Sequence, residues 1–133
     1  QYSLAKDGNR KLAPSFNTRE FRCRDGTDTI LVDEALTVVL QCIREHFGKA
    51  VTITSGYRTP EHNAEVGGSK SSQHLLGRAA DIRVAGVSVE DVAAYAESLM
   101  PGWGGVGRYP VKAGRATGWV HVDTRQNKSR WTL

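Results

Sequence analysis

The chain has 133 residues, 39% of them hydrophobic and 24% charged, with a formal net charge of +4. That length suits one domain with a real core, and no run approaches the roughly 18 apolar residues of a membrane-spanning helix. The basic residues are scattered, with only the loose cluster RQNKSR near the C-terminus, so nucleic acid is not an expected partner.

In chain order, QYSLAKDGNRKL is polar and lacks the long apolar core of a secretory signal; residues 1–15 read as an N-terminal arm. Asn17 stands where it can cap a short turn, NTREF, that brings Phe16 and Phe21 to the core. Cys23 and Cys42 form no C-x-x-C pair, and either a disulfide or two buried thiols fits them. The clearest helix is DEALTVVLQCIREHF: Asp33 is placed to cap it, Leu36, Val39, Leu40, Ile43 and Phe47 recur at three- and four-residue steps, and Gly48 ends it. AVTITSG reads as a strand, followed by a polar loop with a short helix, TPEHNAEVGGSKSS. A strand from Asp81 to Val84 comes next. Then Ser88 and Asp91 open a second helix, with Val92, Tyr95, Ala96 and Leu99 as its buried stripe. GVGRY and GWVHVD read as two last strands, linked by the Gly-rich PVKAGRATG. The class is therefore α+β, one domain over residues 1–133, with an antiparallel sheet packed against two main helices.

The chemistry concentrates in SSQHLLGRAADI, Ser71 to Ile82. On a continuous helix, His74 and Asp81 would stand roughly 10 Å apart along the axis, too far to share an ion bound at about 2.0–2.2 Å. If they serve one site, the chain must turn at Gly77 and deliver Asp81 at the start of a strand. In GWVHVD, strand alternation puts Trp119, His121 and Asp123 on one face and Val120 and Val122 on the core side. His74, Asp81 and His121 then make two imidazoles and one carboxylate, the ligand count of a catalytic zinc with an open fourth position. A core histidine and a capping aspartate are the alternative reading of the same positions. The thiol-rich pattern of a structural zinc and the HExxH helix are both absent. His46 lies at a helix C-terminus, where the dipole favours a cation, and His62 in PEHN reads as a solvated surface residue or as part of a cleft.

The pattern SxHxxGxAxD, met by Ser72, His74, Gly77, Ala79 and Asp81, resembles the signature of the zinc D-alanyl-D-alanine carboxypeptidases and related endolysin peptidases, whose fold the hedgehog signalling domain shares. SGYRTPEHN upstream and WVHVDTR downstream are similar to the flanking blocks of the small single-domain branch of that family. The resemblance runs from about Phe16 to Arg125. It implies the hedgehog-like fold and Zn2+ held by His74, Asp81 and His121. It also implies that Arg58 faces the substrate, to bind a carbonyl or carboxylate and to steady a developing oxyanion; pinning the loop after its strand is the plainer role. Ser72 would order the His74 loop or bind substrate, and Trp119 would wall the cleft or simply pack.

One departure stands out. Many members carry an acidic residue three positions before the last zinc histidine, and often a histidine two before it; here those positions are Gly118 and Trp119. Asp123 is the natural substitute for the acid, about 6.6 Å further along the same strand face. It could act as general base, orient the His121 ring, or merely pair with Arg125 where the strand ends. The implied activity is zinc-dependent hydrolysis of peptidoglycan stem peptides or cross-links by metal-activated water, of carboxypeptidase or endopeptidase type. A monomer is expected, acting at a bacterial cell envelope or as a phage-encoded lysis enzyme. The missing acid motivates an alternative, a non-catalytic zinc-bearing module that binds the wall or serves a structural purpose.

Overall fold

The computed structural model describes residues 1–133. The N-terminal part is built of short elements: β1 (Tyr2–Ser3), α1 (Leu4–Asp7), β2 (Lys11–Ala13), β3 (Phe16–Asn17), a 3-10 turn (Thr18–Phe21) and β4 (Thr29–Ile30). β1 pairs with β4 and β2 with β3, both antiparallel. Residues 1–15 are therefore not the projecting arm expected from their polarity. Tyr2, Leu4, Leu12 and Ala13 pack against the core beside the buried Phe16 and Phe21, and that apolar contact holds the segment down.

The remaining elements are α2 (Glu34–Phe47), β5 (Val51–Ser55), α3 (Pro60–Glu65), a second 3-10 turn (Gln73–Leu76), β6 (Ala79–Val84), α4 (Val89–Leu99), β7 (Gly105–Tyr109), β8 (Trp119–Asp123) and β9 (Ser129–Thr132). The class is α+β. The main sheet has the order β5-β6-β8-β7-β9, antiparallel throughout except for the parallel pair β7–β9. The expected all-antiparallel sheet is thus corrected at one edge. After Asp123 the chain folds back across the sheet end, where Gly104 N donates to Arg125 O and Ser129 N to Gly104 O. It then runs in the same direction as β7, and the polar flank RQNKSR masks this short strand in the sequence.

One face of the sheet carries the core. Leu36, Leu40 and Ile43 of α2 and Val92, Ala93 and Ala96 of α4 pack with Ile82, Val106, Val120 and Val122 in a single apolar cluster. Ser88 Oγ accepts from Asp91 N at 3.1 Å, so the α4 cap is as its sequence reads. Asp33 occupies the N-cap of α2, but its carboxylate accepts from the Thr124 hydroxyl at 2.6 Å rather than from a helix amide, which ties α2 to the end of β8. His46 stacks on Tyr95 with ring centroids 3.7 Å apart, joining α2 to α4. Cys23 and Cys42 are free thiols. No helix is long and apolar enough to cross a membrane.

Two measurements test this packing. Ile82 is fully buried at the sheet centre, so Ile82→Ala is expected to cost about 2–5 kcal/mol in chemical denaturation. Arg108 of β7 donates to Glu90 and Glu97 of α4, at 2.7 Å each, and these bonds hold both carboxyls below the ordinary value of 4.5. A depressed carboxyl stabilises the fold above its unfolded value and loses that contribution as pH falls. The thermal midpoint should therefore drop more steeply below pH 4.5 in the wild type than in Arg108→Gln. Parallel curves would show that the pairing contributes nothing.

Candidate functional site

His74 sits in the 3-10 turn that follows Ser72, whose hydroxyl accepts from His74 N at 3.2 Å. Gly77 ends this turn at φ +70°, and an added Cβ there would run into the backbone of Leu31, so only glycine fits both the left-handed turn and the close approach. The chain then enters β6, and Asp81 is its third residue. On the neighbouring strand His121 lies directly opposite Asp81 in the register. The turn at Gly77 and the pairing of β6 with β8 together bring the three residues to one point.

His74 Nε2 is 3.3 Å and His121 Nδ1 3.1 Å from Asp81 Oδ1. All three side chains are nearly buried. Each ring is gripped from behind: His74 Nδ1 is 2.7 Å from the carbonyl oxygen of Gly56, and His121 Nε2 is 2.7 Å from Asp123 Oδ2. A carbonyl can only accept, so His74 Nδ1 must carry the proton, and the carboxylate of Asp123 likewise fixes a proton on His121 Nε2. In the neutral imidazoles the two nitrogens facing Asp81 are then lone pairs directed at an anionic oxygen. Three electron-rich donors within 4.8 Å of one another could hold a cation between them. The donor types suit Zn2+, and the positions held from behind are those that orient metal-binding imidazoles.

Burial opposes charge on Asp81, His121 and Asp123, but their partners prevail. Desolvation would raise the Asp81 carboxyl; when the ring nitrogens facing it also carry protons, hydrogen bonds from His121 and His74 outweigh that and bring it below its ordinary range. Desolvation would lower His121, yet Asp123 and Asp81 raise it. Asp123 is completely buried, and its bonds to His121 and Arg125 likewise outweigh desolvation and hold it ionised. Both of its oxygens are engaged: Oδ1 accepts from Arg125 N and Nε at 3.0 and 2.8 Å, and Oδ2 from Arg125 Nη2 at 2.6 Å.

The centre opens into a cleft of about 370 Å³, lined among others by Arg58, Ser72, Gln73, Trp119, Arg125 and Trp131. Asp123 is not on its wall; it stands behind His121. Arg58 lies three residues past the end of β5 rather than at the strand end. Its guanidinium donates to Ser55 Oγ, Asn63 Oδ1 and Asp81 Oδ2, at 3.1, 3.2 and 3.4 Å, so it both pins its loop and reaches the site. Trp119 stacks on Tyr109 at 4.8 Å, with the Arg115 guanidinium over both rings. Gly118 offers no acid and gives its carbonyl to Arg83 Nε at 2.9 Å. Asp81 is the sole acidic side chain on the cleft wall. His62 is not the solvated residue its loop suggested: it lies on α3 with its side chain 16% exposed.

Trp131 of β9 is the residue that sequence reading missed. Its indole lies 5.0 Å from the His121 ring, and its Nε1 donates to the Tyr109 hydroxyl at 3.0 Å. It occupies the space over Gly107, where any Cβ would meet the indole ring. Glycine inside a strand marks close approach, so GVGRY held the clue. Gly107→Ala is expected to expel Trp131, seen as a change in near-ultraviolet dichroism and tryptophan emission with far-ultraviolet signal retained. An unchanged spectrum would show that the indole is not seated there.

The sequence model of the family described as Peptidase M15 matches residues 14–123. The chain is 39% identical over 79 residues to the probable peptidoglycan L,D-endopeptidase MepK of Haemophilus influenzae, a stretch covering 56% of this chain and 39% of that protein. It is 35% identical over 81 residues to the peptidoglycan L,D-endopeptidase MepK of Escherichia coli K12, covering 57% and 41%. The matched stretch thus spans about two fifths of the length of these curated relatives.

Proposed function

The chain belongs to the peptidase M15 family, and on that premise we propose that it hydrolyses peptide bonds in peptidoglycan stem peptides or cross-links, with Zn2+ held by His74, Asp81 and His121. The substrate follows the activity for which the two relatives are named, and a hedgehog-like arrangement of the fold goes with the same reading. The observation that carries the proposal is the convergence of two imidazole lone pairs on the Asp81 carboxylate, at 3.3 and 3.1 Å, beside an open cleft. Bound there, zinc would supply Lewis acidity toward a scissile carbonyl and a lowered pKa for the attacking water.

The chain's own residues divide the remaining work. Gly56 O and Asp123 set the tautomer and direction of the two rings. Arg125 keeps Asp123 ionised and fixed, so Asp123 orients His121 rather than taking a proton from the cleft. Arg58, with Nη2 at the edge of the centre, is placed to bind a substrate carbonyl oxygen and to stabilise charge developing on it. Ser72 holds the His74 turn and, with Trp119 and Trp131, walls the cleft for the peptide. A second reading, zinc-dependent wall binding without hydrolysis, is favoured by the want of any acidic side chain in the cleft besides Asp81.

Defined muropeptides with mass analysis of the products separate the two readings and identify the bond cut. Chelator-treated protein should leave them intact and zinc-restored protein should cleave them. Cleavage at full rate without metal would overturn the zinc reading, and intact muropeptides with zinc-loaded protein that still sediments with cell wall would favour the binding module. His74→Ala should abolish cleavage, and Arg58→Met should lower kcat by about 10²–10³. Asp123→Asn should weaken zinc binding by about 10–100-fold, measured by competition with a chromophoric chelator; unaltered affinity would remove its orienting role.

A further inference from the structure

Outside the cleft, one other group of side chains has the composition of a metal site. We propose that Cys23, Asp25 and His62 bind a second divalent ion of the zinc class, distinct from the His74–Asp81–His121 centre. A thiol sulfur, a carboxylate oxygen and a ring nitrogen from these residues all lie within 4.8 Å of one another. Donors bonded to one tetrahedral zinc at about 2.0–2.3 Å stand about 3.3–3.8 Å apart, so the set closes on an ion with side-chain shifts of up to about an ångström.

Each member is held as a ligand would be. Cys23 is fully buried, and its thiol faces the Thr59 hydroxyl at 4.0 Å and the Asp25 carboxylate, which it helps to keep ionised. Asp25 is oriented by Thr27 N on Oδ1 at 2.9 Å and by the Thr59 hydroxyl on Oδ2 at 3.0 Å, which leaves a lone pair on each oxygen. The hydrogen bonds from Thr27 keep this carboxyl ionised well below its usual range. His62 Nδ1 is buried without a hydrogen-bond partner, with the nearest carboxylate oxygen, Glu65 Oε2, 3.6 Å away. Mixed sulfur, nitrogen and oxygen donors select a borderline metal and disfavour calcium or magnesium, which take oxygen ligands.

The placement gives the ion a structural task. Cys23 and Asp25 follow the first 3-10 turn, His62 lies on α3, and between them Thr59 caps α3 directly after Arg58. A shared ion would clamp the N-terminal segment to the loop that presents Arg58 to the cleft. The site is independent of the hydrolase reading, because none of its three donors lines the cleft.

Cobalt tests the proposal with a signal the cleft centre cannot produce, since that centre has no sulfur donor. In chelator-stripped protein carrying His74→Ala and His121→Ala, one equivalent of Co2+ should bind with a thiolate-to-cobalt charge-transfer band in the near ultraviolet. Cys23→Ser or His62→Ala should abolish the band, and Cys42→Ser should leave it. No bound Co2+ in that background, binding without the band, or a band that survives Cys23→Ser overturns the proposal. Should the double variant fail to fold, the same band and the same three substitutions are read in the otherwise wild-type protein, where its absence is equally decisive. Muropeptide cleavage plays no part in the readout, so failure here leaves the cleft reading standing, and the reverse.

Discussion

The site depends on one pairing, Asp81 of β6 opposite His121 of β8. Strand side chains alternate faces, so a slip of one residue would send His121 into the core and a valine to the cleft. The register is held from both faces. Ile82, Val120 and Val122 fill the apolar cluster beneath, and a chain of charge runs across the upper face from Arg58 through Asp81 and His121 to Asp123 and Arg125. Removing any link would leave a buried charge uncompensated, which is why burial can be tolerated at Asp81 and Asp123. The same arrangement that stabilises the ionised groups aims both imidazoles at one point, so fold and chemistry share a single set of contacts.

Space on that face is created by small residues. Gly105 lies opposite Asp123 and Gly107 opposite His121. A Cβ at Gly105 would collide with the Asp123 carboxylate, and one at Gly107 with Trp131. Ala79 packs without exposure two residues before Asp81, opposite Asp123 on the same face. Small side chains on the strands flanking the centre therefore let a carboxylate and an indole lie where the sheet would otherwise crowd them out.

Much of this was readable from the sequence, because local rules decide it. The helices of α2 and α4 follow their apolar spacing, and GWVHVD alternates as a half-buried strand must. The turn at Gly77 is required by the spacing of His74 and Asp81 if the two are to meet. What escaped depends on tertiary partners. Asp33 reads as an ordinary cap but is claimed by Thr124, 91 residues away in the chain. His62 reads as a loop residue, yet it lies on α3 and is half-buried. Residues 1–15 look like an arm, since their few apolar side chains gain meaning only once Phe16 and Phe21 form a surface to receive them. Trp131 lies on a parallel edge strand, and no periodicity in four residues announces one. Strand alternation places Asp123 on the same face as His121, but the hold of Arg125 on both of its carboxylate oxygens is a matter of side-chain direction that no local rule foretells.

The parallel docking of β9 bears on how the molecule assembles. His74 and Asp81 are near neighbours in sequence, but His121 joins them across 40 residues, and its indole cover arrives later still, from the last strand. Contacts of such long range carry a large loop-closure cost and form late in folding. The centre is accordingly a product of the finished sheet: its three donors meet only where β8 lies against β6, and the indole that covers His121 is supplied by the last edge strand.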